Sequence, residues 1–456
     1  MNLKKYLKEC NNVVHTTINP KGPGVVRIHL VPPKKLAVGV PFVAIINGYS
    51  LIPLQTTWAV LLREFILTIN MIDGNEIDDS YLDTIVSKVV LNVKKIYPEA
   101  NDKMIRSDLK DIVETLVDIA LGKEPKVEIG YTTLAKYSKF MYSPHRMDLM
   151  ISAMEKNGCW NCNQRCLHCY AANEKMANVE ELKTEDWFKI IDKCYTARIP
   201  ALTFTGGEPT KRNDLVALVN HAKWFVTRLN TNGILLTKEL CKNLYAASLD
   251  SVQITLYSFD ENIHNTLVGA NHFKETVEGI KNALEAGLDV SINTPLCSLN
   301  KDYVNTIKFA ESLGVRYFST SGLIPSGNAK NAISEVTKLN ENEIYKSLRL
   351  ACDYAKTKNL EIAFTSPGWI KDDLLLKMHM IIPSCGACMS NMAIAPNGEV
   401  LPCQSWLFED GLGNILNKNF KNIWNSKKCK KIRKISATSH GLCQLKEVKK
   451  WKSFYL

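Results

Sequence analysis

Cysteines carry the chemistry legible in this chain of 456 residues, and its fourteen cysteines are not evenly spread. Cys159, Cys162, Cys166 and Cys169 form one knot; Cys385, Cys388 and Cys403 begin a second, with Cys429 and Cys443 beyond it. In a reducing compartment such close spacings favour metal ligation over disulfides. Cys162-x3-Cys166-x2-Cys169 sets three thiolates around one iron–sulfur cubane and leaves its fourth iron open to a small molecule. Adding Cys159 gives C-x2-C-x3-C-x2-C, a spacing that also suits structural zinc. Cys10, Cys194, Cys241, Cys297 and Cys352 stand alone and read as packing.

The segment Ala201–Thr205 selects the cluster reading. It has strand character and runs directly into Gly206-Gly207-Glu208-Pro209-Thr210. Two glycines at a strand end let backbone approach a ligand closely, and a carboxylate beside them can hold an ammonium group. In the second knot, Cys385-x2-Cys388 is followed by Asn397-Gly398, a hairpin turn that returns Cys403 towards the first two thiols. Zinc and an iron–sulfur cluster are both compatible with that spacing.

Three kinds of segment must position these residues. Residues 1–125 read as strands followed by helices. Val25–Val31, Phe42–Ile46 and Tyr49–Leu54 are the strands, the last two joined at Asn47-Gly48. Three helical faces follow: Trp58, Leu61, Leu62, Phe65, Ile66 and Ile69; Leu82, Ile85, Val86, Val89, Val93 and Ile96; and Leu109, Ile112, Val113, Leu116 and Ile119, stopped by Gly122. Residues 126–147 read as a linker. Over 148–370, strands alternate with helices: Leu149–Met154, Ala201–Thr205, Phe225–Asn230, Val252–Tyr257, Val290–Asn293 and Val315–Ser319, with helices ending at Gly287 and Gly314. This α/β alternation predicts a parallel sheet, doubly wound or curled into a partial barrel, with ligands at the strands' carboxyl ends. Residues 380–447 form the cysteine-rich end.

The bulk composition is that of a globular protein, 46% hydrophobic and 23% charged. The longest apolar candidate, Trp58–Ile72, is short and interrupted by Arg63 and Glu64, so no membrane span is expected. The first residues carry lysines but no apolar core or cleavage site, so no signal peptide is read and a cytoplasmic location is expected. The net charge of +11 concentrates at Lys427, Lys428, Lys430, Lys431, Arg433 and Lys434, followed by Lys446, Lys449, Lys450 and Lys452. That run reads as a solvated helix face, or as a contact for an acidic peptide or electron donor. No aromatic-and-basic nucleic-acid motif accompanies it.

The open-iron loop followed, one strand later, by Gly-Gly-Glu-Pro resembles the radical SAM superfamily over roughly residues 148–329. The resemblance implies a partial (β/α)6 barrel that reductively cleaves S-adenosylmethionine to a 5′-deoxyadenosyl radical. It implies that Cys162, Cys166 and Cys169 ligate the catalytic [4Fe–4S] cluster, and that Gly206, Gly207 and Glu208 bind the amino group of S-adenosylmethionine. By the same resemblance Thr231, Asn232, Thr255, Ile324 and His168 line the cofactor site.

The C-terminal segment resembles the SPASM or twitch auxiliary-cluster extension, with Gly413-Asn414-Ile415 and Ile423-Trp424-Asn425 adding to the likeness. A full extension carries seven cysteines for two clusters. Too few remain here, which predicts one auxiliary [4Fe–4S] cluster on Cys385, Cys388, Cys403 and Cys443. Cys429, inside the basic helical run, is assigned to packing.

Residues 1–125 resemble the winged-helix peptide-recognition element of ribosomal-peptide maturases, which captures a leader by adding a strand to a sheet edge. A dimerisation or scaffold role is the alternative for this domain. The expected activity is thioether or carbon crosslinking, or epimerisation, of a precursor peptide. A flavodoxin- or ferredoxin-type donor would supply the electron. The alternatives are cofactor or tetrapyrrole biosynthesis, and a non-catalytic zinc-stabilised binding protein.

Overall fold

Four short strands and three long helices build the first of two units, Met1–His145, in this computed structural model. The structure describes residues 3–10, 12–18, 26–33, 41–46, 50–71, 79–120, 125–127, 134–330, 337–358, 360–438 and 442–446. A helix, α1 (Leu3–Glu9), precedes strands β1 (Val14–Ile18), β2 (Val26–Val31), β3 (Phe42–Ile46) and β4 (Ser50–Leu54). These pair antiparallel in the order β1-β2-β3-β4. Helices α2 (Thr56–Ile69), α3 (Asp79–Ile96) and α4 (Asp102–Ala120) follow.

The sequence pattern predicted three strands; β1 is the fourth, its mixed Val-His-Thr-Thr-Ile run lacking a clean apolar alternation. Asn47-Gly48, Val25, Tyr49 and Gly122 lie outside the described residues, as do Lys449, Lys450 and Lys452.

One face of the sheet, with Ile28, Leu30, Phe42, Ala44 and Ile46, joins a core containing Leu62, Phe65, Ile66, Val89, Ile112 and Leu116. The helical faces read from periodicity are therefore the packed ones, except that Leu82, in the first turns of α3, is 44% exposed. The uniformly apolar β3 is buried along its whole length, as expected of a strand covered on both sides. A buried carboxylate ties α1 down: Tyr6 Oη donates to Glu64, and Arg63 donates to Tyr6 Oη at 3.2 Å. Within the segment read as a linker, residues 134–140 are helical, and Tyr137, Met141 and His145 are buried.

The second unit, Arg146–Leu456, is organised by a nine-stranded sheet. Its first strand, β5 (Arg146–Ser152), is followed by a hairpin of β6 (Glu155–Lys156) and β7 (Cys159–Trp160). The parallel set continues with β8 (Ala201–Gly206), β9 (Val226–Thr231), β10 (Ser251–Thr255), β11 (Asp289–Pro295) and β12 (Tyr317–Ser321). These five and β5 are the six strands expected from the βα alternation. Two additions extend the sheet. β13 (Glu361–Phe364) pairs parallel with β12, and β14 (Asn391–Ile394) pairs parallel with β5, carrying antiparallel β15 (Val400–Leu401) outside it. The order is β13-β12-β11-β10-β9-β8-β5-β14-β15.

Helices Thr184–Thr196, Leu215–His221, Lys238–Ala246, Glu261–Val268, Phe273–Glu285 and Tyr303–Ser312 fall between the parallel strands. Side-chain caps start some of them: Thr237 accepts from Leu240 N–H, and Asp260 accepts from Ile263 N–H. Gly287 and Gly314, at φ 84° and 105°, close two others in the left-handed region. Strand alternation buries Val252, Ile254, Leu229 and Ile292, while Asn230, Gln253, Thr255 and Asn293 take the other face. That polar face is cross-linked, Gln253 Nε2 donating to Ser319 Oγ at 3.2 Å and Ser319 Oγ to Asn293 Oδ1 at 3.1 Å.

Candidate active site and auxiliary metal centre

Past the end of β5, Asn157 and Gly158, both at positive φ, turn the β6–β7 hairpin. Cys159 lies in that hairpin and is exposed, while Cys162, Cys166 and Cys169 occupy the loop beyond it and are half-buried. Backbone bonds fix this loop from several sides. Asn161 N–H donates to Met154 O, Arg165 N–H to Val268 O and Leu167 N–H to Leu267 O, at 2.8–3.0 Å. Asn328 binds it twice, N–H to Cys169 O at 2.8 Å and Nδ2 to Cys166 O at 3.1 Å. The Asn328 segment is itself held by the buried Glu174 carboxylate, which accepts from Ser326 Oγ, Gly327 N–H and Lys330 Nζ at 2.6–3.0 Å. Burial pushes the Cys162 thiol up to about 12 and raises Cys166 and Cys169, the neighbouring thiols adding to the rise at Cys166.

Gly206 and Gly207 are required by the end of β5. At Gly206, with φ 136°, an added Cβ would stand 2.2 Å from Ser152 O; at Gly207 it would stand 2.8 Å from Ala153 O. The close approach that the sequence suggested is thus made, in part, by the protein's own backbone. Gly207 O in turn lies 3.5 Å from Cys162 Sγ. Glu208 is almost fully buried and its carboxylate accepts four hydrogen bonds. They come from Thr210 N–H (3.0 Å), Thr210 Oγ1 (2.5 Å), Thr231 Oγ1 (2.6 Å) and Asn232 N–H (2.9 Å). Burial raises its pKa and these donors oppose the rise. Asn232 then reaches the cysteine loop, Nδ2 donating to Asn163 Oδ1 at 2.6 Å.

Residues expected around the cofactor are thereby joined through Asn163: Cys162–Cys169, Gly206–Glu208, Thr231 and Asn232. Thr255 ends β10 half-buried, and Ile324 follows β12, also half-buried. His168 is buried, with Nε2 2.8 Å from Thr337 Oγ1 and Nδ1 without a partner. Around the same loop Asn163 Nδ2 and Gln164 Nε2 are also buried without hydrogen-bond acceptors. Three thiols ringed by spare N–H donors fit a sulfide-rich, anionic cluster.

The second cysteine group is assembled by the β14–β15 turn, where Ala395 N–H bonds Glu399 O and Gly398 adopts φ 86°. Cys388 N–H bonds Pro402 O at 2.9 Å, which sets Cys403 beside it. Burial raises the thiols of Cys403 and Cys443. Cys385 adds to both shifts, and Cys443 to that of Cys403, so the three thiols lie within electrostatic range of one another. Ser436 Oγ and Gln444 Nε2 stand 3.7 and 3.9 Å from Cys385 Sγ.

Cys429, expected to serve packing, is fully buried and also hydrogen-bonds Cys388, which lowers its thiol pKa. Arg433, which sequence reasoning left in the solvated basic run, turns inward. It donates to Cys388 O at 2.8 Å, Trp424 O at 2.7 Å and Cys429 Sγ at 3.2 Å, and its guanidinium carbon stands 3.3 Å from the Trp424 ring centre. Five thiols thus lie in one neighbourhood, more than the four that one cubane cluster takes, although among the described residues no three of them close into a ready metal site. The only available sign of Arg433's role was its i+4 spacing from Cys429.

A cavity of about 750 Å³ opens beside both groups, walled by Leu323, Lys338, Trp369 and Lys446 among others. Among the described residues, no helix is long and apolar enough to cross a membrane.

Residues 161–310 match the model of the Radical SAM superfamily, and residues 385–445 match SPASM, an iron–sulfur cluster-binding domain. The chain is 27% identical over 282 residues to an AdoMet-dependent heme synthase from Oleidesulfovibrio alaskensis, covering 58% of this chain and 72% of that protein. It is 33% identical over 189 residues to a "Probable GTP 3′,8-cyclase" from Saccharolobus islandicus, covering 40% of this chain and 61% of the cyclase, less than two thirds. Its fold is similar to that of Streptococcus suis SuiB bound to precursor peptide SuiA, with TM-score 0.60 and 15% identity across 90% of this chain and 94% of that one. The radical SAM domain implies a [4Fe–4S] cluster and S-adenosylmethionine, and the SPASM domain implies auxiliary iron–sulfur ligation. The zinc-stabilised, non-catalytic alternative falls with these matches. The chain carries a radical SAM domain and, C-terminal to it, a SPASM domain.

Proposed function

We propose that this enzyme modifies a ribosomally synthesised peptide, forming a thioether or carbon crosslink or epimerising a residue. The observation that carries this reading is the joining of three parts in one chain: an antiparallel-sheet unit with two strand edges, a radical SAM domain and a SPASM domain. The likeness of fold to SuiB, whose structure holds its precursor peptide, supports it across 90% of the chain. In this reading the first unit takes the leader along the edge of β1 or β4, backbone bonds giving affinity and side-chain pockets giving choice. A flavodoxin- or ferredoxin-type protein is the proposed electron donor.

Cys162, Cys166 and Cys169 would hold the catalytic cluster, and Cys385, Cys388, Cys403 and Cys443 the auxiliary one. When bound, cluster and S-adenosylmethionine together supply one-electron cleavage to a 5′-deoxyadenosyl radical. The chain's own residues bind and orient. With the Glu208 carboxylate already accepting four bonds, it locks the ends of β8 and β9 together and holds the Gly206-Gly207 turn that would receive an ammonium group. The polar row of Asn230, Gln253, Thr255 and Asn293 would offer hydrogen bonds to the cofactor's polar groups. Ile324 and His168 would line its nucleoside side, and the apolar side chains around Leu323 would keep water from the reacting atoms.

Tetrapyrrole chemistry is the second reading, favoured by the heme synthase relative. Mass spectrometry separates the two. Reconstituted enzyme is incubated anaerobically with S-adenosylmethionine, a reductant and the short peptide encoded beside its gene. Loss of two hydrogens, or one deuterium gained from solvent, supports peptide modification. Formation of 5′-deoxyadenosine with that peptide unbound and unchanged counts against it.

A further inference from the structure

The 750 Å³ cavity is lined by no cysteine, but residues that adjoin both cysteine groups form its walls. On one side Leu323 belongs to the small apolar cluster of Tyr257, Leu267, Val268 and Cys297, against which Cys166 and Leu167 pack. The wall at Lys338 is pinned to the cysteine loop by its neighbour Thr337, which bonds His168. On the other side Lys446 lies one turn beyond Cys443, its N–H donating to Cys443 O at 3.0 Å. Trp369 stands between. An added Cβ at Gly322 would meet its indole at 1.7 Å, so the ring lies flat on the end of β12. Lys446 Nζ sits 3.5 Å from the ring centre and donates to Gly368 O.

The charges around this cavity are unequally matched. Glu341 is taken by Lys371, through Lys371 N–H at 2.7 Å and an ion pair at 4.0 Å. Asp372 and Asp373 open the Asp372–Lys377 helix, where free N–H groups stabilise them, and Asp373 also pairs with Lys377 at 3.9 Å. Lys338 and Lys446 form no ion pair among the described residues; burial lowers the Lys446 pKa, Cys443 and Glu341 attract its charge and Lys338 repels it. The Trp369 Nε1–H is buried without an acceptor. A hollow with an apolar wall, two ammonium groups outside any ion pair among the described residues and a spare indole N–H suits a ligand that brings apolar side chains and a carboxylate.

We propose that this cavity holds the substrate peptide during reaction and that Lys338 and Lys446 select a segment bearing an Asp or Glu side chain, its apolar neighbours lying on Leu323 and Trp369. The proposal rests on the peptide-modifying reading above, and its test separates the two. Holoenzyme loaded with S-adenosylmethionine is titrated calorimetrically with three probes: acetyl-Leu-Glu-Leu-Glu-Leu-amide, its Gln counterpart, and a dipropionate porphyrin.

The Glu peptide is expected to bind about tenfold tighter than the Gln peptide, the scale of one charge-assisted contact. The Lys338→Met/Lys446→Met variant is expected to bind both peptides equally, and Lys446→Arg to keep most of the preference. Equal affinities in the wild type, or a preference that survives in the double variant, overturn the proposal. Binding of the porphyrin alone, lost in the double variant, overturns the peptide occupant and leaves a carboxylate site for a tetrapyrrole. Binding of none of the three overturns both. If the double variant loses auxiliary iron, Lys338→Met alone repeats the comparison, since Lys338 lies away from Cys443 in sequence and on the opposite wall.

Discussion

Glu208 shows how a residue can be legible in type and hidden in role. Its position after two glycines marked it at once, but its four donors come from Thr210, Thr231 and Asn232, and no local spacing announces a bond between two strand ends. Glu208→Ala strands buried donors at about 1–3 kcal/mol each. The variant is expected to lose thermal stability and affinity for S-adenosylmethionine together, by melting and equilibrium dialysis, whereas Glu208→Gln keeps one acceptor oxygen and loses less of both.

His264 is one of three histidines, with His15 and His145, whose pKa burial lowers to about 4, and it supplies a share of the pH dependence. Its Nδ1 accepts from Tyr257 N–H at 3.3 Å at the end of the fourth barrel strand. Burial, and then the nearby His272, lower its pKa to about 4. A depressed histidine favours folding above its unfolded value, and that contribution is lost as pH falls from about 6.5 towards 4. A shift of that size is worth up to about 3 kcal/mol. Melting curves between pH 7.5 and 5 should therefore fall more steeply for wild type than for His264→Gln. Parallel curves would remove His264 from the account.

At the scale of elements, the sequence patterns that translated well were the ones with a local cause. The three helical faces of the first unit and the six βα-alternating strands follow from apolar period, and the Cys385–Cys403 return follows from a two-residue turn. The Lys427–Thr438 helix resisted because five lysines in twelve residues hide its inward stripe of Cys429, Ile432 and Ser436, with Arg433 beside it. Only the contact with Trp424 and Cys388 turns Arg433 from solvated charge into a half-buried cation. A positive charge against cluster-bound thiolates favours the electron-rich state. Arg433→Met is therefore expected to make the auxiliary reduction potential more negative, with Arg433→Lys intermediate, in a redox titration followed by electron paramagnetic resonance. An unchanged potential with full iron content would place the guanidinium outside the cluster's field.

For the whole molecule, what escaped the sequence was long-range pairing. β13 is four residues long and β14 also four, too short for a periodic signal, and β14 joins β5 across more than two hundred residues of chain. That pairing joins the β14–β15 turn between Cys388 and Cys403 to the sheet of the radical SAM strands; both cofactor sites belong to the second unit and none of their cysteines to the first. A division of labour follows. A chain lacking residues 1–145 retains every thiol of both groups and every strand of their sheet, so it should still bind iron and cleave S-adenosylmethionine when chemically reduced. Should the first unit capture the leader, the same variant loses affinity for full-length precursor while a leaderless core peptide binds it as it binds the intact enzyme. Calorimetry with the two peptides, beside iron analysis of both proteins, distinguishes the roles. Equal loss for both peptides would instead make the first unit part of the catalytic fold, and no loss for either would leave it a scaffold or an assembly surface.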